Sequence, residues 1–143
     1  MPEKRLVLLG GGHSHILLMK NLGMRPIKGL TTSLVTPDAS MIYTGMLPGA
    51  IMGIYTQEDI QVDLVKLSNY AHSRLIFDSA KYIDLKEKNL VLDSRKPLNY
   101  DMLSIDIGIN YGAPKIKGFD RFVLPIKPFQ SFIASWESFL VDL

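Results

Sequence analysis

The sequence sets four apolar residues, Leu6, Val7, Leu8 and Leu9, directly against three glycines, Gly10, Gly11 and Gly12, and then switches to the spacing of a helix. That order predicts a strand, a tight turn and a helix within residues 5–23. The four apolar residues do not alternate, so both faces of the strand should be covered, as in parallel sheets flanked by helices. Past the turn Ile16, Leu17, Met19 and Lys20 follow the helical repeat, and Gly23 is expected to stop it. Gly10 would permit the bend and Gly12 would let the backbone approach an anion. The helix starting near His13 would aim unpaired N–H groups at that anion. A dinucleotide pyrophosphate suits such a corner; the alternative is that the glycines only make a tight strand-to-helix connection.

His15 stands where the third glycine of a G-x-G-x-x-G turn would fall. An imidazole there implies a wider gap between helix and strand, or a partner that uses it. His13 and Ser14 sit where side chains cap a helix or touch a phosphate. No metal is expected, because residues two apart on a helix do not face each other and no third ligand cluster is visible.

With 143 residues, 47% hydrophobic and 21% charged, the chain is long enough to bury a core and too apolar to be disordered. Its net charge of +2 is small and scattered, which points away from nucleic acid. There is no cysteine. That excludes disulfides, thiolate catalysis and Cys-ligated metal, and fits a reducing cytoplasm. The apolar run after Lys4 and Arg5 is too short for a secretory signal. Residues 39–57 carry no charge, but Gly45, Pro48, Gly49 and Gly53 would break a membrane-spanning helix, so no transmembrane segment is expected.

Residues 24–30 read as a loop, and residues 32–36 as a β-branched strand pairing parallel to the first. Asp38 follows that strand, either as a ribose contact or as a simple turn carboxylate. Residues 41–55 are too irregular for a strand and too interrupted for a helix, yet apolar. They would be covered by a flat aromatic ligand or by the core. Ile60, Val62 and Leu64 alternate, with a short helix expected to run on through Tyr70. Residues 74–77 and 80–85 read as strand, paired antiparallel with residues 89–92 across Lys86, Glu87 and Lys88. Residues 100–108 return to a buried strand ending in Gly108, opposite the first turn. Asp106 there is either a polar contact at the sheet edge or a carboxylate bonded within the turn. Residues 110–128 read as a connector. Phe129, Phe132, Ile133, Trp136, Leu140 and Leu143 then recur on one helical face, which wants a surface to cover. The face of Phe132, Trp136 and Leu140 would seat a second copy or a partner chain.

The combination GGGHSH, YTGMLPG and YDMLSIDIG resembles the N-terminal FAD-binding part of NADH dehydrogenase-like pyridine nucleotide oxidoreductases. These are akin to type II NADH dehydrogenases and include a subfamily fused to selenophosphate synthetase. The resemblance implies an α/β fold: a Rossmann-type parallel sheet with an inserted antiparallel hairpin, forming an incomplete FAD/NAD(P)-binding fold. Residues 1–128 would be the partial FAD-binding domain, and residues 129–143 a helix leading toward an absent NADH-binding domain. FAD would be held by Gly10, Gly11, Gly12, His13, Ser14 and His15, with Asp38 as the ribose carboxylate. Thr44, Gly45, Met46 and Leu47 would approach the flavin, and Asp106 and Gly108 would match the second FAD motif.

The implied activity is hydride transfer from NAD(P)H to FAD and on to an acceptor such as a quinone, with NAD(P)H a co-substrate only if the missing half is supplied. No residue is identifiable as a catalytic acid or base. The alternative is a truncated or partner-dependent nucleotide-binding module with no activity of its own; a third is NAD in the first turn, for which Asp38 discriminates. The setting implied is the cytoplasm or the periphery of a membrane. All of this requires main-chain amides at the Gly12 corner that protein groups have not already taken.

Overall fold

Strand β1 (Lys4–Leu9) lies inside a parallel sheet because its apolar residues serve two cores at once. Val7 and Leu9 point to one face, where they pack with Val35, Ile76, Leu90, Leu92 and Tyr100. Leu8 points to the other, against Met19, Leu34, Leu64 and Ala71. The computed structural model describes residues 3–108, 116–127 and 129–141, which divide into two compact units, Met1–Ile107 and Gly108–Leu143.

In the first unit β1 is followed by α1 (His13–Met24) and β2 (Leu30–Thr36). Then come β3 (Ser40–Ile42), a 3₁₀ turn (Thr44–Met46), α2 (Leu47–Ile51), β4 (Gln61–Asp63) and α3 (Leu64–Tyr70). Strand β5 (Arg74–Phe77) leads to β6 (Ala80–Asp84), β7 (Asn89–Leu92), β8 (Leu98–Asn99) and β9 (Met102–Ile105). The main sheet has the order β5-β2-β1-β9, and all its pairings are parallel. Leu8 is aligned with Leu34 on one side and Ser104 on the other. Strands β6, β7 and β8 form an antiparallel sheet whose Leu90 and Leu92 close the Val7 face. The chain leaves β1 toward β2 and later returns to its opposite side as β9. The order therefore reverses between β1 and β9, and open α/β sheets bind ligands at the carboxyl ends of the strands at such a reversal.

Three expectations change. Gly23 does not end α1: it is helical, and the place of a Cβ on it is taken by the Tyr70 ring of α3. The helix stops at Met24, where Arg25, the residue before Pro26, is held at φ −140° and ψ 77°, because a following proline disfavours helical backbone. Strand β5 does not run on into the hairpin. It pairs with β2, and Asp78 breaks the run by accepting the N–H groups of Ser79 and Ser94. Residues 41–55 do contain a helix, α2, with Pro48 in its first turn where a missing N–H costs nothing. Met52 and Ile54 beyond it are exposed at 75% and 63%, not covered.

The second unit contains α4 (Phe119–Phe122) and α5 (Phe129–Val141). On α5 the Phe132 and Trp136 rings stack with centroids 6.4 Å apart, and Trp136 and Phe139 at 5.6 Å. Phe132 is buried, whereas Leu140 is 51% exposed. Residues 110–115, Pro128 and Leu143, assigned above to the connector and the helical stripe, lie outside the described residues. Among the described residues no helix is long and apolar enough to cross a membrane.

Leu34 is fully buried between the strands and the helix layer. Leu34→Ala should cost about 2–5 kcal/mol in urea unfolding. At the amino ends of β1 and β9, the Arg5 backbone N–H, 2.8 Å from Asp101 Oδ2, and then Arg5 Nε at 3.3 Å hold the Asp101 carboxyl below the usual carboxylate value of 3.8. A carboxyl pKa depressed by folding stabilises above its unfolded value and loses that contribution as pH falls through the folded value. Asp101→Asn should therefore lower the melting temperature at neutral pH, and the gap to the parent chain should close well below pH 3.8.

Candidate functional site

The glycine turn lies at the carboxyl end of β1, where the sheet order reverses. Its amides are arranged by the neighbouring strands. Gly10 N–H donates to the Val35 carbonyl of β2 at 2.8 Å, and Gly12 N–H to the Asp106 carbonyl beyond β9 at 3.1 Å. Gly10 has φ +94°, and a Cβ on it would sit 2.7 Å from the Asp106 carbonyl carbon and from the Ile107 Cα. No L side chain suits either the dihedral or the space. Over Gly11 lies the Leu64 side chain, with Cδ1 2.6 Å from where a Cβ would be.

Asp106 occupies the corner itself. Its Oδ2 accepts the Ser14 N–H at 2.9 Å, and its carboxylate fills the space beside Gly12 that a Cβ would take. The open corner that the sequence called for is thus not found: the Gly12 amide meets a protein carbonyl, and the Ser14 amide a protein carboxylate. Of the two roles left open for Asp106, the structure gives neither alone; the carboxylate reaches from the sheet edge to the first turn of α1.

His15 is 2% exposed and both its ring nitrogens are engaged. Nδ1 lies 2.7 Å from the Gly10 carbonyl and Nε2 2.9 Å from Ser104 Oγ on β9. A carbonyl only accepts, so Nδ1 carries the hydrogen, and in the neutral ring Nε2 accepts from the Ser104 hydroxyl. The imidazole fills the gap that a third glycine would close, and its partner is the protein. His13 points elsewhere, edge-on to Tyr43 with ring centroids 4.8 Å apart.

That contact brings the second motif to the first. Tyr43 opens the 3₁₀ turn of Thr44, Gly45 and Met46, and a Cβ on Gly45 would lie 3.0 Å from the Tyr43 ring. Thr44 and Gly45 are exposed, Met46 is half-buried and Leu47 is buried. Asp38 is exposed past the end of β2, its N–H donating to Thr36 Oγ1 at 3.2 Å. Gly108 follows β9 with φ +74°. The sequence does not point to Ser104, Tyr43 or Leu64 at the turn: Tyr43 reads only as part of the YTGMLPG stretch and Leu64 only as part of the alternating run after Ile60. Only Ser104 carried a signal, as the one polar residue of an otherwise apolar strand. Among the described residues no three His, Asp or Glu side chains gather where they could hold a metal.

No protein-family model and no curated protein sequence matches the chain. Solved structures do. The sulfide:quinone oxidoreductase of Aquifex aeolicus aligns over 96% of this chain and 32% of its own, with TM-score 0.78 and 23% identity. NDH2 of Plasmodium falciparum, solved with NADH, aligns over 96% and 29% with TM-score 0.74 and 17% identity. A NAD-dependent persulfide reductase from A. fulgidus aligns over 94% and 27% with TM-score 0.73 and 19% identity. The chain has the Rossmann-type α/β fold of these oxidoreductases. It spans about a third of the length of the solved proteins it matches.

The geometry at Gly10, His15 and Ser104 sets what substitutions there should cost. Gly10→Ala should destabilise by roughly 2 kcal/mol or more through the left-handed dihedral and the clash with the Asp106 backbone. His15→Ala should cost about 2–3 kcal/mol by orphaning the Ser104 hydroxyl and the Gly10 carbonyl, and Ser104→Ala about 1 kcal/mol. The double variant should cost less than the sum in denaturant melts, because the pair shares one hydrogen bond.

Proposed function

We propose that the chain binds FAD at the Gly10–Gly12 corner and forms the FAD-binding part of a flavin-dependent NAD(P)H oxidoreductase. One observation carries the proposal: at the reversal point of a Rossmann-type sheet, the Ser14 N–H in the first turn of α1 holds an anionic group, the Asp106 carboxylate, in the space that Gly12 leaves by having no side chain. A helix end that holds a carboxylate suits a pyrophosphate in its place, which would take the Ser14 amide from Asp106 while the Gly12 amide stays on the Asp106 carbonyl. The fit is to the anionic linker of a dinucleotide. In this reading Asp38, exposed past β2, would contact the ribose, and Thr44, Gly45, Met46 and Leu47, which follow the Tyr43 ring beside His13, would approach the flavin side.

When bound, the flavin supplies the redox chemistry, accepting hydride from NAD(P)H and passing electrons to an acceptor such as a quinone; the protein binds and orients it. The oxidoreductases that share the fold, among them NDH2 solved with NADH and a water-forming NADH oxidase from Lactobacillus brevis bound to NADH, support this class of function. A second reading is a module that needs a partner and has no activity of its own. The exposed Leu140 on α5 favours it.

Titrating the chain with FAD, followed by sedimentation with and without FAD, tests both. We expect binding far weaker than nanomolar, and NADH oxidation only if a partner chain is added. Nanomolar retention of FAD with NADH turnover by this chain alone would overturn the partner-dependent reading, and no FAD binding at any concentration would overturn the flavoprotein one.

A further inference from the structure

Helix α1 is 12 residues long, and the group that meets its amide end belongs to the chain itself. The Asp106 main chain is fixed on two sides, its N–H donating to the Leu9 carbonyl at 2.8 Å and its carbonyl accepting the Gly12 N–H at 3.1 Å. Its side chain has no such double anchor. It is half-buried, makes one hydrogen bond, from Ser14 N–H, and forms no ion pair among the described residues. Rotation about the Cα–Cβ bond would move the carboxylate off α1 without disturbing the sheet.

A carboxylate and a phosphodiester compete for the same donors and the same end of the helix dipole. Two anions a few ångströms apart also repel each other. We propose that the Asp106 carboxylate is an autoinhibitory contact: it occupies the phosphate position in the ligand-free chain and must swing away before a dinucleotide pyrophosphate enters. The inference rests on the dinucleotide reading above. It gives Asp106 two opposed effects, stabilising the empty turn and weakening the affinity for the ligand.

The test uses the full chain, Asp106→Asn and Asp106→Ala, each 15N-labelled and titrated with FAD while the Gly12 and Ser14 amide resonances are followed. Ligand-free melting temperatures are measured on the same samples. The expected result is a shifted Ser14 amide in both ligand-free variants, a lower melting temperature for Asp106→Ala, and FAD bound about tenfold more tightly by both. Tenfold is the order set by removing one charge-assisted hydrogen bond from the competing state. A purely structural cap would lower stability without raising affinity. Equal or weaker FAD binding by Asp106→Asn, or a Ser14 amide indifferent to substitution, overturns the proposal. If all three proteins bind FAD equally, the dinucleotide reading stands and only the competition fails. If none binds FAD while the Ser14 contact persists, both fail.

Discussion

The first turn of an α-helix leaves N–H groups that no carbonyl of the same helix can take, and negative charge is the partner they favour. In this chain the sheet order decides where that partner comes from. With β9 beside β1, the residue after β9 is carried to the start of α1, and that residue is Asp106. Gly12 makes the approach possible because a side chain there would collide with the carboxylate. The corner is therefore built by three distant pieces: the glycines after β1, the acid after β9, and the strand order that brings them together.

The elements that define the sheet were legible because each is an unbroken apolar or β-branched run ending in a turn residue. Strands β1, β2 and β9 fall where residues 6–9, 32–36 and 100–108 placed them, within the usual blur at the ends. The contacts that set the site were not legible. Asp106 and Ser14 are 92 residues apart and His15 and Ser104 are 89 apart, and no local pattern reports a pairing at that range. Gly23 shows the converse error. Its type fits a helix stop, but the Tyr70 ring gives it a packing role and Pro26 supplies the stop. Tertiary contact overrode local propensity in both cases.

The segment between β2 and α3 behaves as two halves. Met41 and, at the start of α3, Leu64 turn inward to the helix-side core, and Leu64 also packs against Gly11, so this half supports the turn. Met52 and Ile54 turn outward. Apolar content alone could not separate them, since hydrophobic residues are often exposed. What separates them is geometry: β3 and β4 pair antiparallel and pin the flanks of the loop, while Met52 and Ile54, between α2 and β4, lie outside that pairing.

His15 explains how a turn lacking the third glycine keeps its shape. In the glycine version helix and strand approach because nothing lies between them. Here an imidazole fills the space and bonds to both sides, to the Gly10 carbonyl and to Ser104. A buried ring with both nitrogens satisfied has one low-energy position, because either nitrogen left unpaired would cost more than the hydrogen bond itself contributes. The turn is thus fixed from inside by His15 and closed from outside by Asp106. These two constraints differ in kind. The first is buried and tied at both ends, so it sets the shape of the turn. The second is half-buried and tied once, so it is the part of the corner that can yield to another anion.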